Sequence, residues 1–363
     1  MLALFKETTE TAPVIDVLQW LRPWWRKALD KGHVPDATEV RNAFIALFPT
    51  HDTSELEEWV KAMRGEWLMT GLAACVREIF AHTPHFIEAL GETRSVLCCP
   101  LLETDWELWI ETMAARLNLE FNYTHPSSSA LWETTSGPWR VTLLHGSVTP
   151  GGKPKAFLRR LASTPYPLAE FGLAAEDEAL ICSLMENKEN LLIAGATGSG
   201  KTSFLSTLTT LITSEDHLVL LEDTQEISCS HARLTRMLAS NKPGRSLSDY
   251  LAYTLRLSPD RILLGEMRSH EVVPYLLAMN TGHRGLLSTL HASSASDALL
   301  RVAQLFVLAS GQKDISYQEV LRLVARNVGY VVFLEKRRVK EIIRVYGVDG
   351  DQPIFDRIKG PHS

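Results

Sequence analysis

The chain has 363 residues, 45% of them apolar and 22% charged, and carries a formal charge of −6. That length can hold two or three domains, each with its own core, while the acidic balance gives no overall electrostatic footprint for nucleic acid, so no specific nucleic-acid partner is expected. No apolar run approaches a bilayer span, and the start MLALFKETTE has neither the basic nor the apolar segment of a signal peptide, which predicts a soluble cytosolic protein.

All nine tryptophans (Trp20, Trp24, Trp25, Trp59, Trp67, Trp106, Trp109, Trp132 and Trp139) precede residue 140, whereas most glycines come later, so the composition divides the chain. Apolar residues recur at helical spacing from about 14 to 80, as in Val14, Val17, Leu18 and Leu21, then Leu56, Trp59, Val60 and Met63. This predicts a helical N-terminal extension over 1–84. Its tryptophan stripe is read as core, with a docking face as the alternative. Residues 85–165 mix an apolar stretch at Val96–Leu102, a helix at Asp105–Leu117 and a strand at Arg140–Leu144. The turn chemistry of TPGGKP then leads to a second hairpin strand at Lys155–Arg160, and a small α/β domain is expected. The cysteines are few: five in all, with only Cys98 and Cys99 adjacent and no CxxC pair, as for reduced thiols.

A linker is expected near Ser163–Glu170. Beyond it, over 175–363, short apolar strands (Leu191–Ala194, Leu218–Leu221, Ile262–Leu264 and Leu286–Thr289) alternate with helical stretches. The predicted fold class is α/β, with a mostly parallel sheet covered on both faces.

The segment GATGSGKT, from Gly195 through Ala196, Thr197, Gly198, Ser199, Gly200 and Lys201 to Thr202, matches G-x4-G-K-[ST] at each fixed position. It follows the apolar strand LLIAG and opens a helix that continues with Ser203. Glycines are needed because backbone N–H groups must curl around phosphates where a Cβ would obstruct. Lys201 would reach the β and γ phosphates, Thr202 would offer its hydroxyl to Mg²⁺, and the helix N-terminus would add its partial positive charge. ATP with Mg²⁺ is the expected cofactor pair.

Three further segments carry candidate groups. LVLLEDTQEIS ends a strand in Glu222, Asp223 and Glu226; RLSPDRILLGEMR ends one in Gly265, Glu266 and Arg268; NTGHRGLLSTLHASS sets His283 and His291 on either side of a strand. Carboxylates at the C-terminal ends of parallel strands lie on the edge where the phosphate loop sits. Singly, each could be a helix cap or a core histidine. In this order behind a phosphate loop they are read together.

These four segments resemble the Walker A, Asp box, atypical Walker B and His box of the type II/IV secretion NTPase superfamily, over roughly residues 90–345. Gly265 stands where a general Walker B motif has Asp, as is common in that family. The NTGH start, the LHASS ending and the histidine spacing look most like the type IV secretion and tight-adherence pilus branch. The resemblance implies a RecA-like ATPase domain preceded by a small α/β domain, ATP bound between the two larger domains, and a ring of six subunits. It further implies a peripheral place at the inner membrane, against a secretion or pilus platform. Carried over by position, Glu226 would orient the attacking water, Glu266 would hold magnesium through water, and His291 and His283 would support the γ-phosphate side. Arg140, Arg159 or Arg160 would neutralise charge in the transition state, with a solvated strand end as the alternative for the last two. Two rivals remain: a nucleotide-dependent switch or scaffold with negligible turnover, which the intact Glu226 and Glu266 oppose, and a nucleic-acid motor, which the acidic balance opposes.

Overall fold

The computed structural model describes residues 17–70, 72–162, 164–240, 242–311 and 315–360; Val14 of the first apolar stripe and Ser163 at the head of the expected linker lie outside them. The chain forms two compact units, divided between Leu161 and Ala162.

The first unit opens with helices α1 (Val17–Asp30), α2 (Ala37–Leu47) and α3 (Ser54–Met63). Strands β1 (Glu78–Thr83), β2 (Phe86–Leu90) and β3 (Arg94–Val96) follow, then helix α4 (Trp106–Arg116) and strands β4 (Ser127–Thr134), β5 (Gly137–Leu144) and β6 (Lys155–Arg160). The six strands make one antiparallel sheet in the order β3-β2-β1-β6-β5-β4. A division between residues 84 and 85 would fall inside the β1–β2 turn, where Thr83 pairs with Phe86. Helices and sheet share a single apolar core that contains Leu21, Trp25, Phe44, Trp59, Trp109, Ile79, Trp139 and Val141. The tryptophan stripe packs inward, and two of its polar N–H groups find buried partners. Trp25 Nε1 donates to Thr112 Oγ1 at 2.9 Å, and Trp59 Nε1 donates to Asp105 Oδ2 at 3.2 Å. Arg22 pairs with the same fully buried Asp105 at 2.6 Å, which ties α1 and α3 to the start of α4.

In the second unit α5 (Ala175–Glu186) precedes β7 (Leu191–Gly195), α6 (Lys201–Thr209), β8 (Leu218–Glu222) and β9 (Leu234–Leu238). Then come α7 (Leu247–Thr254), β10 (Arg261–Leu264), α8 (Val272–Asn280), β11 (Leu287–Leu290), α9 (Ala295–Ser310) and α10 (Tyr317–Asn327), and finally β12 (Tyr330–Glu335), β13 (Arg338–Asp349) and β14 (Gln352–Lys359). The strand order is β14-β13-β12-β7-β11-β10-β8-β9, parallel from β12 to β9 and antiparallel through β13 and β14. Every residue of β7, β8, β10 and β11 is buried, as the continuous apolar runs require when both faces are covered. The period of two splits them between the faces. Leu192, Ala194, Val219 and Ile262 join the core under α8, α9 and α10, while Leu191, Ile193, Leu218 and Leu263 join the one under α5 and α6. No helix among the described residues is long and apolar enough to cross a membrane.

Candidate functional site

Parallel pairing sets the site. Leu290 lies beside Ala194 and Leu264 beside both Ser288 and Leu221, so β7, β8, β10 and β11 end on one edge. The phosphate loop, Glu222, Glu226, Glu266 and His291 all follow those ends.

The loop has the shape its glycines predict. Gly195, Gly198 and Gly200 have φ of 154°, 74° and 97°. A Cβ on Gly195 would come within 2.4 Å of the Leu334 carbonyl, whereas one on Gly198 would meet nothing, because that crest faces open space. Ala196, Thr197 and Gly198 are exposed, Ser199 is buried, and Thr202 and Ser203 are half-buried at the first turn of α6. Lys201 is 6% exposed and folds back on its own loop, donating to the Gly195 and Ala196 carbonyls at 2.9 Å each. Burial pushes its pKa down, Glu266 pulls it up and Arg268 pushes it down again.

From Lys201 a chain of charged groups runs along the edge. Its Nζ lies 3.3 Å from His291 Nδ1, and His291 Nε2 lies 2.8 Å from Glu266 Oε1. Because an ammonium only donates, the His291 proton belongs on Nε2, facing Glu266. That contact is close but not aligned as a hydrogen bond, so the buried Glu266 Oε1 still has capacity to accept. Arg268 donates to Glu266 Oε2 and, at 3.0 Å, to Asp223 Oδ2. Sequence reasoning named Arg268 without a role; in the segment after β10 it brings positive charge to the carboxylates from within the same unit.

Glu222 is spent on structure. Its Oε1 accepts from the backbone N–H groups of Glu226 and Ile227 at 2.9 and 2.8 Å, and Arg236 Nη1 stands 3.3 Å from Oε2. It therefore holds the turn that presents Glu226, which is half-buried. The same carboxylate explains Gly265: a Cβ there would sit 3.2 Å from Glu222 Cγ and 3.4 Å from the Leu221 carbonyl, so an Asp would press on it. Burial raises the Glu222 pKa to about 7, against the opposing pull of the two N–H groups and Arg236. Folding thus favours the protonated form. Its contribution is complete below the unfolded value of about 4.5 and is lost as pH rises through about 7, a loss of at most about 3 kcal/mol. Glu222→Gln should flatten this decline. The check is the difference in urea midpoint between variant and wild type from pH 5 to pH 8, expected to move in favour of the variant as pH rises.

His283 is a correction. The sequence reading set it with His291 on the γ-phosphate side, but the structure puts it before β11, two residues from Gly285, whose N–H donates to the Lys188 carbonyl at 2.7 Å ahead of β7. That is the opposite edge from the loop. The reason is direction: a strand running between two histidines carries them to opposite edges of a parallel sheet. His283 Nδ1 there lies 3.4 Å from Thr281 Oγ1.

The three arginines of the first unit also separate. Arg140 and Arg159 are cross-strand partners on one face, lining with Glu78, Phe80, Thr142 and Phe157 a pocket of about 210 Å³. Arg159 Nε donates to Glu78 Oε1 at 3.0 Å. Arg160 faces the other way, 4.9 Å over the Trp139 ring, and donates to the Ala74 carbonyl at 2.6 Å.

The residues fit magnesium nucleotide. Among the described residues no cluster of three His, Cys, Asp or Glu could hold a metal alone. Magnesium in phosphate sites takes most of its ligands from phosphates and water, so Thr202 and the unsatisfied Glu266 oxygen would suffice. Bound there, the ion would neutralise phosphate charge. Lys201 would exchange its loop carbonyls for phosphate oxygens, and His291 would follow Glu266.

Comparisons with known proteins bear on the family and the fold. The family model described as "Type II/IV secretion system protein" matches residues 146–334. The conjugal transfer protein TrbB of Rhizobium radiobacter is 33% identical over 273 residues, which cover 72% of this chain and 80% of that one. The type IV secretion system protein VirB11 of Bartonella henselae is 32% identical over 150 residues, 40% of this chain and 42% of its own. In solved structures, the ATPase DotB of Legionella pneumophila superposes with a TM-score of 0.56 at 18% identity, over 81% of this chain and 78% of DotB, and so shares the fold. With a complete phosphate loop and the carboxylates beside it, the chain belongs to the type II/IV secretion system protein family and is an ATPase of that family.

Proposed function

We propose that this ATPase is the motor subunit of a type IV secretion or conjugal transfer machine, working as a homo-hexamer on the cytoplasmic side of the inner membrane. The observation that carries the reading is the continuous line from Lys201 through His291, Glu266 and Arg268 to Asp223 on the phosphate-loop edge, in a chain a third identical to a conjugal transfer protein. Glu226 is assigned the attacking water, Glu266 and Thr202 the magnesium, and residues Gly195 to Ser203 the phosphates. Loss of the γ-phosphate would free Lys201 and His291 to return to the contacts described above, and that exchange would move the first unit against the second.

The tests are phosphate release and mass. Purified protein should release phosphate from ATP and, with nucleotide, scatter light as a six-fold assembly. Glu226→Gln should keep ATP affinity and lower turnover about a hundredfold or more; Glu266→Gln should do likewise, with a steeper magnesium requirement. If Glu226→Gln turns over normally, the water-orienting role passes to Asp223, since Glu222 is committed to the Glu226 and Ile227 N–H groups. One observation favours a slow resting state: Arg268 neutralises both Glu266 and Asp223. Stimulation by the membrane platform would then exceed stimulation by single-stranded DNA, and the reverse would revive a nucleic-acid motor.

A further inference from the structure

The sheet order gives the phosphate loop two unlike flanks. On one side of β7 lie β11, β10 and β8, which carry His291, Glu266 and the Glu226 turn. On the other lies β12, paired in parallel so that Leu334 stands beside Gly195. The two-residue turn that follows, Lys336–Arg337 between the paired Glu335 and Arg338, therefore sits at the loop, on the flank away from Glu266, His291 and the Glu226 turn.

This turn is built unusually. Lys336 and Arg337 have φ of 49° and 63°, the left-handed conformation of a type I′ turn, where Asn-Gly is favoured and long side chains are strained. It is also locked to the loop. Arg337 N–H donates to the Ser199 carbonyl at 2.9 Å, and Arg337 packs over Gly200 so closely that a Cβ on that glycine would meet Arg337 Cα at 3.3 Å and Cγ at 3.4 Å. The side chain nevertheless remains exposed, and among the described residues its guanidinium has no partner. A strained arginine, backbone-bonded to the phosphate loop with its head group unspent, calls for a ligand.

The flank decides which part of it. If the γ-phosphate and metal lie against Glu266 and His291, a nucleotide crossing the loop leads its other end over Gly200 toward β12. We propose that Arg337 is the nucleoside-end contact of the site, stacking its planar guanidinium on the base and ribose of the nucleotide held by its own chain. The proposal rests on the phosphate-loop reading. A stacked guanidinium holds ATP and ADP alike, whereas inorganic polyphosphate offers it no ring to stack on.

Arg337→Gly separates function from structure, because glycine relieves the left-handed strain. The variant without nucleotide should unfold at a higher temperature than wild type, yet bind ADP and ATP about tenfold more weakly by calorimetry. Its KM for ATP should rise by a similar factor with a smaller change in kcat, and its affinity for inorganic tripolyphosphate should stay at the wild-type value. Arg337→Lys, which keeps charge but not the plane, should recover only part of the nucleotide affinity. Unchanged ADP affinity in Arg337→Gly, or tripolyphosphate weakened as much as ADP, would overturn the assignment. Lys201→Ala is the control for the underlying reading: it should weaken all three ligands, and if it weakens none, the phosphate-loop reading falls and the Arg337 assignment falls with it.

Discussion

Lys201→Ala should abolish measurable turnover, by about a thousandfold, while the protein stays folded. The magnitude follows from removing a buried ammonium placed to meet the transferring phosphate, because a single preorganised donor is worth about a hundred- to a thousandfold. Its binding role adds to this. The fold should tolerate the change because, among the described residues, Lys201 donates to the Gly195 and Ala196 carbonyls and approaches His291; none of these ties one layer of the unit to another. Burial already disfavours its charged form, so losing the ammonium also removes a desolvation cost. The measurement is steady-state phosphate release beside a thermal unfolding curve. A variant with an unchanged melting temperature and unchanged hydrolysis would end the phosphate-loop reading.

The second large effect is expected from Arg140 and Arg159. Phosphate-loop enzymes commonly gain about a thousandfold or more from an arginine that neutralises charge in the transition state, supplied by the same chain or a neighbour. Arg140 and Arg159 share one face of the β5–β6 ribbon, and Arg159 pairs with the partly exposed Glu78. Either Ala variant should therefore lower kcat far more than ATP affinity. Arg160 should behave differently. Its guanidinium lies over Trp139 on the opposite face and bonds to the Ala74 carbonyl, so Arg160→Ala should lower the melting temperature and spare kcat. Wild-type rates in both Arg140→Ala and Arg159→Ala would return these residues to the role of a solvated strand end. Mixing Arg159→Ala with Lys201→Ala protein then tests the geometry. Activity recovered in mixed assemblies requires an arginine that reaches across a subunit boundary; none recovered, with co-assembly shown, keeps arginine and loop in one chain.

Much of this site could be read from the sequence because its decisive features are local. The phosphate loop is defined by backbone conformations that only glycine adopts cheaply at fixed spacing, and the buried strands announce themselves as unbroken apolar runs. Lys155–Arg160 is a strand over its whole expected range, and Asp105–Leu117 shortens only to Trp106–Arg116. What lay beyond the sequence depends on direction and on neighbours. A motif with two histidines does not say that the strand between them carries His283 away from the loop. Nor does an acidic box say which carboxylate turns inward; Glu222 does so because its buried oxygen meets the N–H groups of Glu226 and Ile227, and that choice crowds any side chain at position 265. Lys336–Arg337 is recognisable as a turn between two strands, but its place against Gly200 follows only from the parallel pairing of β12 with β7, distant in the chain. Conformation within a loop is set by sterics over a few residues, whereas strand order is settled by which apolar faces must be covered together, and only the folded sheet decides that.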